Sequence, residues 1–210
     1  MSQDAAKELD RVFGPDQTLI NGEKYDYCPP AGTKGSQYLA TPEYLPGSVT
    51  LKGKCYRGLT LNYDIYNQQI LLKYQSEIGF RNIIEVSKAW LQAMSLGAMD
   101  FELLTLDKEP RIYQVLGKGA VRILYYWRKG LDVDVVVGSN YLAFTRAVRD
   151  SYILMDGRLK PFGTNRGLIR LFDPGLRPEI KSYLRKNKIR VKKSSDQVMA
   201  KMITFIGNIK

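Results

Sequence analysis

Between Gly47 and Tyr74 the chain reads GSVTLKGKCYRGLTLNYDIYNQQILLKY, and no other stretch constrains the fold as strongly. It predicts three antiparallel strands, with tight turns at Lys52-Gly53 and Asn67-Gln68. Glycine in a two-residue loop permits the positive φ that a twisted hairpin needs. In the middle strand Leu59, Leu61, Tyr63 and Ile65 share one face, and Thr60, Asn62, Asp64 and Tyr66 share the other. That alternation predicts a strand buried on one side and wetted on the other. Gly58 interrupts it where a β-bulge fits.

Further strands follow on the same reasoning. Ile78 to Ser87 reads as one, and Met99 to Leu106 as another. The residue types of 88–98 favour helix, yet a strand over Trp90 to Ser95 with a turn at Leu96-Gly97 is the economical reading. Arg111 to Leu116 pairs with Ala120 to Arg128 through a Gly-Lys-Gly turn. Leu131 to Val137 and Tyr141 to Val148 come next. Asp156-Gly157 then joins Tyr152–Met155 to Arg158–Phe162, the strongest hairpin signal in the chain. At the other end, residues 4–13 suit a short helix, Glu23 to Tyr27 a small hairpin with Leu19-Ile20, and 28–47 an ordered Pro/Gly-rich loop. The loop's AGTKGS is not a G-x-x-x-x-G-K-[ST] phosphate cradle, so its glycines read as turn residues.

After Phe162 the apolar period lengthens to about 3.6 residues, that of a helix. Thr164 or Asn165 caps a short helix, and a second runs from about Arg177 to Asn187 with Pro178 in its first turn. Ser194 and Gln197 form a capping box for a third, with a buried stripe of Val198, Met199, Met202, Ile203, Phe205 and Ile206. None of these helices is long enough to be stable alone, so they need a sheet to pack on. The expected architecture is mainly β with C-terminal α-helices: an antiparallel β-barrel or strongly curved sheet of about nine to twelve strands, capped by the helices. It divides into an N-terminal segment (1–22), an antiparallel β domain (23–163) and a basic helical segment (164–210) packed on the sheet.

Charge is distributed unevenly. Residues 158–210 hold 14 Lys and Arg against 3 Asp and Glu, and the rest of the chain holds 18 of each, so the last quarter contributes the whole net charge of +11. Arg177, Lys181, Arg185 and Lys188 fall at i, i+4, i+8 and i+11, one line along a helix, and Arg190, Lys192 and Lys193 extend it. A run of charge is first of all a solvated face that maintains solubility. Its functional reading is a contact surface for an anionic partner: an acidic protein, lipid headgroups or another anionic envelope component or, less favourably, nucleic acid. Nucleic acid ranks lower because a binding site for it normally adds aromatics, and only Tyr183 is near.

The chain has no histidine, which removes Ser-His-Asp and Cys-His catalysis and most zinc chemistry. Cys28 and Cys55 match no metal motif; they are either one disulfide or two separate thiols. No metal or cofactor is expected, and no enzymatic activity. Possible ligand-facing residues are Asp64, Tyr66, Tyr126 and Arg128. For Tyr126 and Arg128 the plainer reading is one core pair and one exposed pair in Tyr125–Arg128. Asp132 and Asp134 share a strand face, where carboxylates are usually just solvated. No stretch is long and apolar enough for a transmembrane helix. The run after Met1, SQDAAKELD, lacks the basic and apolar regions of a signal peptide, which leaves a cytoplasmic protein or one whose leader has been removed.

The runs NGEKYDYCPPAGTKGSQYLA and GSVTLKGKCYRGLTLNYDIYNQQILL resemble a family of exported β-rich envelope proteins of the Bacteroidota with no assigned activity. The likeness lies in the Asn-Gly-x-x-Tyr entry, the Gly-rich loop, the Tyr63-Asp64-Ile65-Tyr66 core and the basic segment Ile180 to Ile189. It implies a periplasmic or outer-membrane-associated location, and no catalytic residue or cofactor. The first functional expectation is therefore a non-enzymatic envelope protein that binds a protein or anionic envelope partner. The alternatives are a carrier of an apolar ligand in a curved β-sheet, and a cytoplasmic nucleic-acid binder using the basic helices.

Overall fold

The computed structural model describes residues 16–75, 81–106, 109–136 and 139–209; the helix expected over 4–13 lies outside them. A four-residue helix, α1 (Gln17–Ile20), is capped by Asp16, whose side chain accepts from the Thr18 amide. The strands are β1 (Leu45–Leu51), β2 (Lys54–Asp64), β3 (Gln69–Gln75), β4 (Arg81–Glu85), β5 (Leu91–Leu96), β6 (Met99–Thr105), β7 (Pro110–Leu116), β8 (Arg122–Arg128), β9 (Leu131–Val136), β10 (Ser139–Phe144), β11 (Val148–Met155) and β12 (Arg158–Pro161). Three helices follow: α2 (Asn165–Arg170), α3 (Arg177–Lys186) and α4 (Asp196–Asn208).

Among the described residues, ten strands form one sheet in the order β12-β11-β8-β7-β6-β5-β1-β2-β3-β4, and β9 pairs with β10 separately. The order has two ends, so the sheet is open, and the expected barrel or its strongly curved equivalent does not form. Mainly antiparallel β with C-terminal helices is correct as the class. The chain groups into two compact units: Met1–Leu103 with Trp127–Val148, and Leu104–Tyr126 with Arg149–Lys210.

In the first unit the β1–β2–β3 meander is as the turns predicted. Lys52 and Gly53 both have positive φ (48° and 81°), the conformation a tight hairpin demands. The β1–β2 register slips between Gly47 and Val49, opposite Gly58 at φ +69°, so the bulge is real. Two details differ. Asn62 and Asp64 are buried rather than wetted, because the 37–44 loop covers that face. Asn62 Nδ2 donates to the carbonyls of Thr41 and Glu43, and Tyr38 bridges to Asp64. Glu23–Tyr27 is not a hairpin with Leu19-Ile20; Tyr25 N donates to Ile83 O and Glu85 N to Glu23 O along β4. Segment 88–98 resolves as strand: β5 lies between β1 and β6, and that pairing overrides the helical preference of its residues. Gly32 and Gly35, both at positive φ, turn the loop so that Lys34 exchanges backbone hydrogen bonds with Leu142 and Phe144.

In the second unit Asp156 and Gly157 form the predicted turn between β11 and β12, again with positive φ at both residues. Tyr113, Leu124 and Leu154 centre its strand core. Helix α4 presents Met199, Met202, Ile203 and Ile206 as its buried stripe, while Val198 is exposed. It packs on β7, where Gly117 (φ +86°) leaves space that a Cβ would take from Ile203 at 2.4 Å. Its cap is Ser195, one residue past the expected Ser194. Gln114 donates to Asp196 at 2.7 Å and Arg149 pairs with it at 2.9 Å, anchoring the start of the helix.

Candidate functional site

The basic helical segment builds a groove from its own backbone geometry. Thr164 caps α2 by accepting from Gly167 N. Helix α3 has Pro in its first turn and buries Ile180 and Leu184. At its end Lys188 N donates to Arg185 O and Ile189 N to Leu184 O, a Schellman motif with Ile189 buried beside Leu184. The left-handed position of that motif usually holds glycine; here it holds Lys188, at φ 52°. A lysine in that conformation costs on the order of 1 kcal/mol relative to glycine. Asn165 then clamps the chain that follows: its Nδ2 donates to Ile189 O at 2.6 Å and its Oδ1 accepts from Val191 N at 3.0 Å. The 188–190 segment is thereby held against the start of α2.

The resulting groove has a volume of about 770 Å³. Ile169, Leu184 and Ile189 supply its apolar floor, with Leu184 and Ile189 almost fully buried. Around them stand Arg166 and Arg170 from α2, Lys181 and Arg185 from α3, and Lys188 and Arg190 from the segment beyond, all six exposed. No carboxylate lines the groove, and none of the six forms an ion pair with a described carboxylate. Six like charges around one concavity raise a local positive potential, since low-dielectric walls focus the field.

The predicted stripe is thus partly assembled and partly dispersed. Lys181, Arg185, Lys188 and Arg190 come together. Arg177 does not join them: its guanidinium donates to Phe172 O at 2.8 Å and Arg170 O at 3.2 Å, closing the end of α2. Lys192 instead lines a separate cleft of about 490 Å³ with Arg149, Asp150 and Phe162, and Lys193 is exposed outside both. The stripe along the second helix does not include Arg166, Arg170 and Asn165; the two arginines are four residues apart on the preceding short helix, a spacing that puts them on one side of it.

The possible ligand-facing residues are not gathered in one place. Asp64 has no exposed surface. Its Oδ1 accepts from the amides of Tyr66 (2.9 Å) and Asn67 (2.8 Å), and its Oδ2 from Tyr25 Oη (2.7 Å) and Asn67 Nδ2 (2.8 Å). This carboxylate ties the β2–β3 turn to the Tyr25 segment. Burial and the Asp64 hydrogen bond together push the Tyr25 hydroxyl's pKa well above the ordinary phenol value. Lys129 donates to the Ser36 and Tyr38 carbonyls, and burial lowers its pKa. Tyr66 packs edge-on against Phe144, with ring centroids 5.4 Å apart. Tyr126 is half-buried against Tyr113 with Arg111 over its ring, and Arg128 is exposed. Tyr125 is in the core with Ile123 and Leu124 of the same strand; its hydroxyl has no hydrogen-bond partner among the described residues, and burial raises its pKa to about 12. Asp132 is exposed, and the side chain of Asp134 lies outside the described residues. Cys28 and Cys55 are exposed and unpaired. Among the described residues there is no cluster of three potential metal ligands, and no helix is long and apolar enough to cross a membrane.

The chain matches no protein-family model, no curated protein and no solved structure.

Proposed function

We propose that the protein is a non-enzymatic component of the cell envelope, periplasmic or outer-membrane associated, that binds an anionic partner through the groove between α2 and α3. The observation that supports this reading is a concavity ringed by six cations that pair with no described carboxylate, and lined by no carboxylate. Surface charge kept only for solubility mixes both signs and does not need a concave site. The nucleic-acid reading is weaker, because Tyr183, the nearby aromatic, is stacked face to face on Phe205 at 3.9 Å and offers no free ring for a base. The apolar-carrier reading has less support, because the sheet is open and not strongly curled.

Heparin chromatography of the full chain tests the groove. Retention should fall sharply in a Lys181→Glu/Arg185→Glu variant and persist in Lys118→Glu, a charge reversal at an exposed position outside the groove. Equal retention of the three proteins would refute the groove as the anion site. Fractionation of the native host tests location: recovery of the chain with cytoplasmic markers alone would overturn the envelope assignment.

A further inference from the structure

We infer that the groove takes the phosphate headgroup of an anionic membrane lipid, with the first methylenes of its chains laid on the apolar floor. This rests on the anion-binding reading and names its ligand class. Three features favour an amphiphile over a purely ionic polymer. The accessible lining is apolar beneath the charged ends: half-buried Ile169 and the aliphatic stems of the cations lie over an almost fully buried Leu184 and Ile189, and water on such a surface is displaced favourably by hydrocarbon. The cations come in two pairs spaced four residues apart, Arg166 with Arg170 and Lys181 with Arg185, one pair from each bordering helix. Their long stems can lie along the apolar surface while the charged ends reach a phosphate. The volume, about 770 Å³, is that of a small-ligand site and suits one headgroup with part of its chains, not a double helix.

The test is binding of the full chain to vesicles of phosphatidylglycerol mixed with phosphatidylcholine. Phosphatidylcholine vesicles, inorganic polyphosphate and a single-stranded oligonucleotide form the comparison arms. The chain should bind the anionic vesicles and not the zwitterionic ones. Lys181→Glu/Arg185→Glu should weaken vesicle binding by on the order of tenfold or more. Lys188→Gly relieves backbone strain, so a loss of binding in it cannot be attributed to unfolding; it should weaken binding by roughly fivefold. Ile169→Ser should weaken vesicle binding while leaving polyphosphate binding unchanged, because only an amphiphile uses the floor. If polyphosphate or the oligonucleotide binds as tightly as the anionic vesicles, and Ile169→Ser is silent in every arm, the lipid assignment is wrong and the anion-binding reading stands. If the chain binds in none of the arms, both fall.

Discussion

Asp64 is fully enclosed and accepts four hydrogen bonds, from Tyr25, the Tyr66 amide, and the Asn67 amide and side chain. Lys181, Arg185, Lys188 and Arg190 are exposed charges that pair with no described carboxylate. Both clusters are candidate binding residues in the sequence. A buried carboxylate whose oxygens are all engaged has little capacity left for a ligand, and its value is in holding a turn. Cations crowded on one concave surface without counter-charge repel one another, and an arriving anion relieves that repulsion. The difference distinguishes a polar cluster that spends its hydrogen bonds on the fold from one whose charge is left open to a partner.

The largest expected effect lies on the structural side. Asp64→Ala leaves the half-buried Tyr25 hydroxyl and the Asn67 donors without their acceptor, and should destabilise the protein by about 3–5 kcal/mol, on the order of 1–3 for each donor left unsatisfied. The urea-unfolding midpoint measures it; a shift worth under about 0.5 kcal/mol, the range of ordinary surface changes, would erase the contrast. Gly117→Ala adds a Cβ into Ile203 at a positive φ and should cost about 1–3 kcal/mol, lowering the thermal midpoint without altering the groove's charge.

Asn165 stands between the two cases. Asn165→Ala removes both clamps on 189–191 and should cost about 1–2 kcal/mol while also loosening the groove, so stability and heparin retention should fall together. Retention unchanged in a destabilised Asn165→Ala variant would show that the groove does not need its backbone held. Lys188→Gly should do the opposite, gaining roughly 0.5–1 kcal/mol of stability while binding anions less well.

The smallest effect concerns pH. The Lys54 ammonium and the Thr18 amide hold the Asp16 carboxyl at about 2, below its ordinary 3.8. Because the folded value is depressed, the stabilisation is present above about pH 3.8 and is lost as pH falls through about 2. The carboxyl carbon shift of Asp16 should titrate in that window and the Thr18 amide should follow it. In Asp16→Asn the low-pH step should be absent.

Periodicity made legible whatever one element decides for itself. The turns at Lys52-Gly53 and Asp156-Gly157, the bulge at Gly58, the Thr164 cap and the buried stripe of α4 are all local conformational preferences written in a few adjacent residues. Segment 88–98 was readable only by asking which strand it pairs with, since its residues alone favour helix. Asn62 and Asp64 misled because alternation says which residues share a face, not whether a distant loop will cover it.

By itself the sequence determined the antiparallel class, the positions of the hairpin turns and the concentration of positive charge in the last quarter of the chain. Tertiary structure decided which of those charges meet. It diverted Arg177 to close the end of α2, set Lys192 in a different cleft, and brought Arg166 and Arg170 alongside Lys181 and Arg185. The reason is one of range: turns and amphipathic faces are set by neighbours in the chain, whereas a groove is a relation between elements whose spacing along the sequence says nothing of their separation in space.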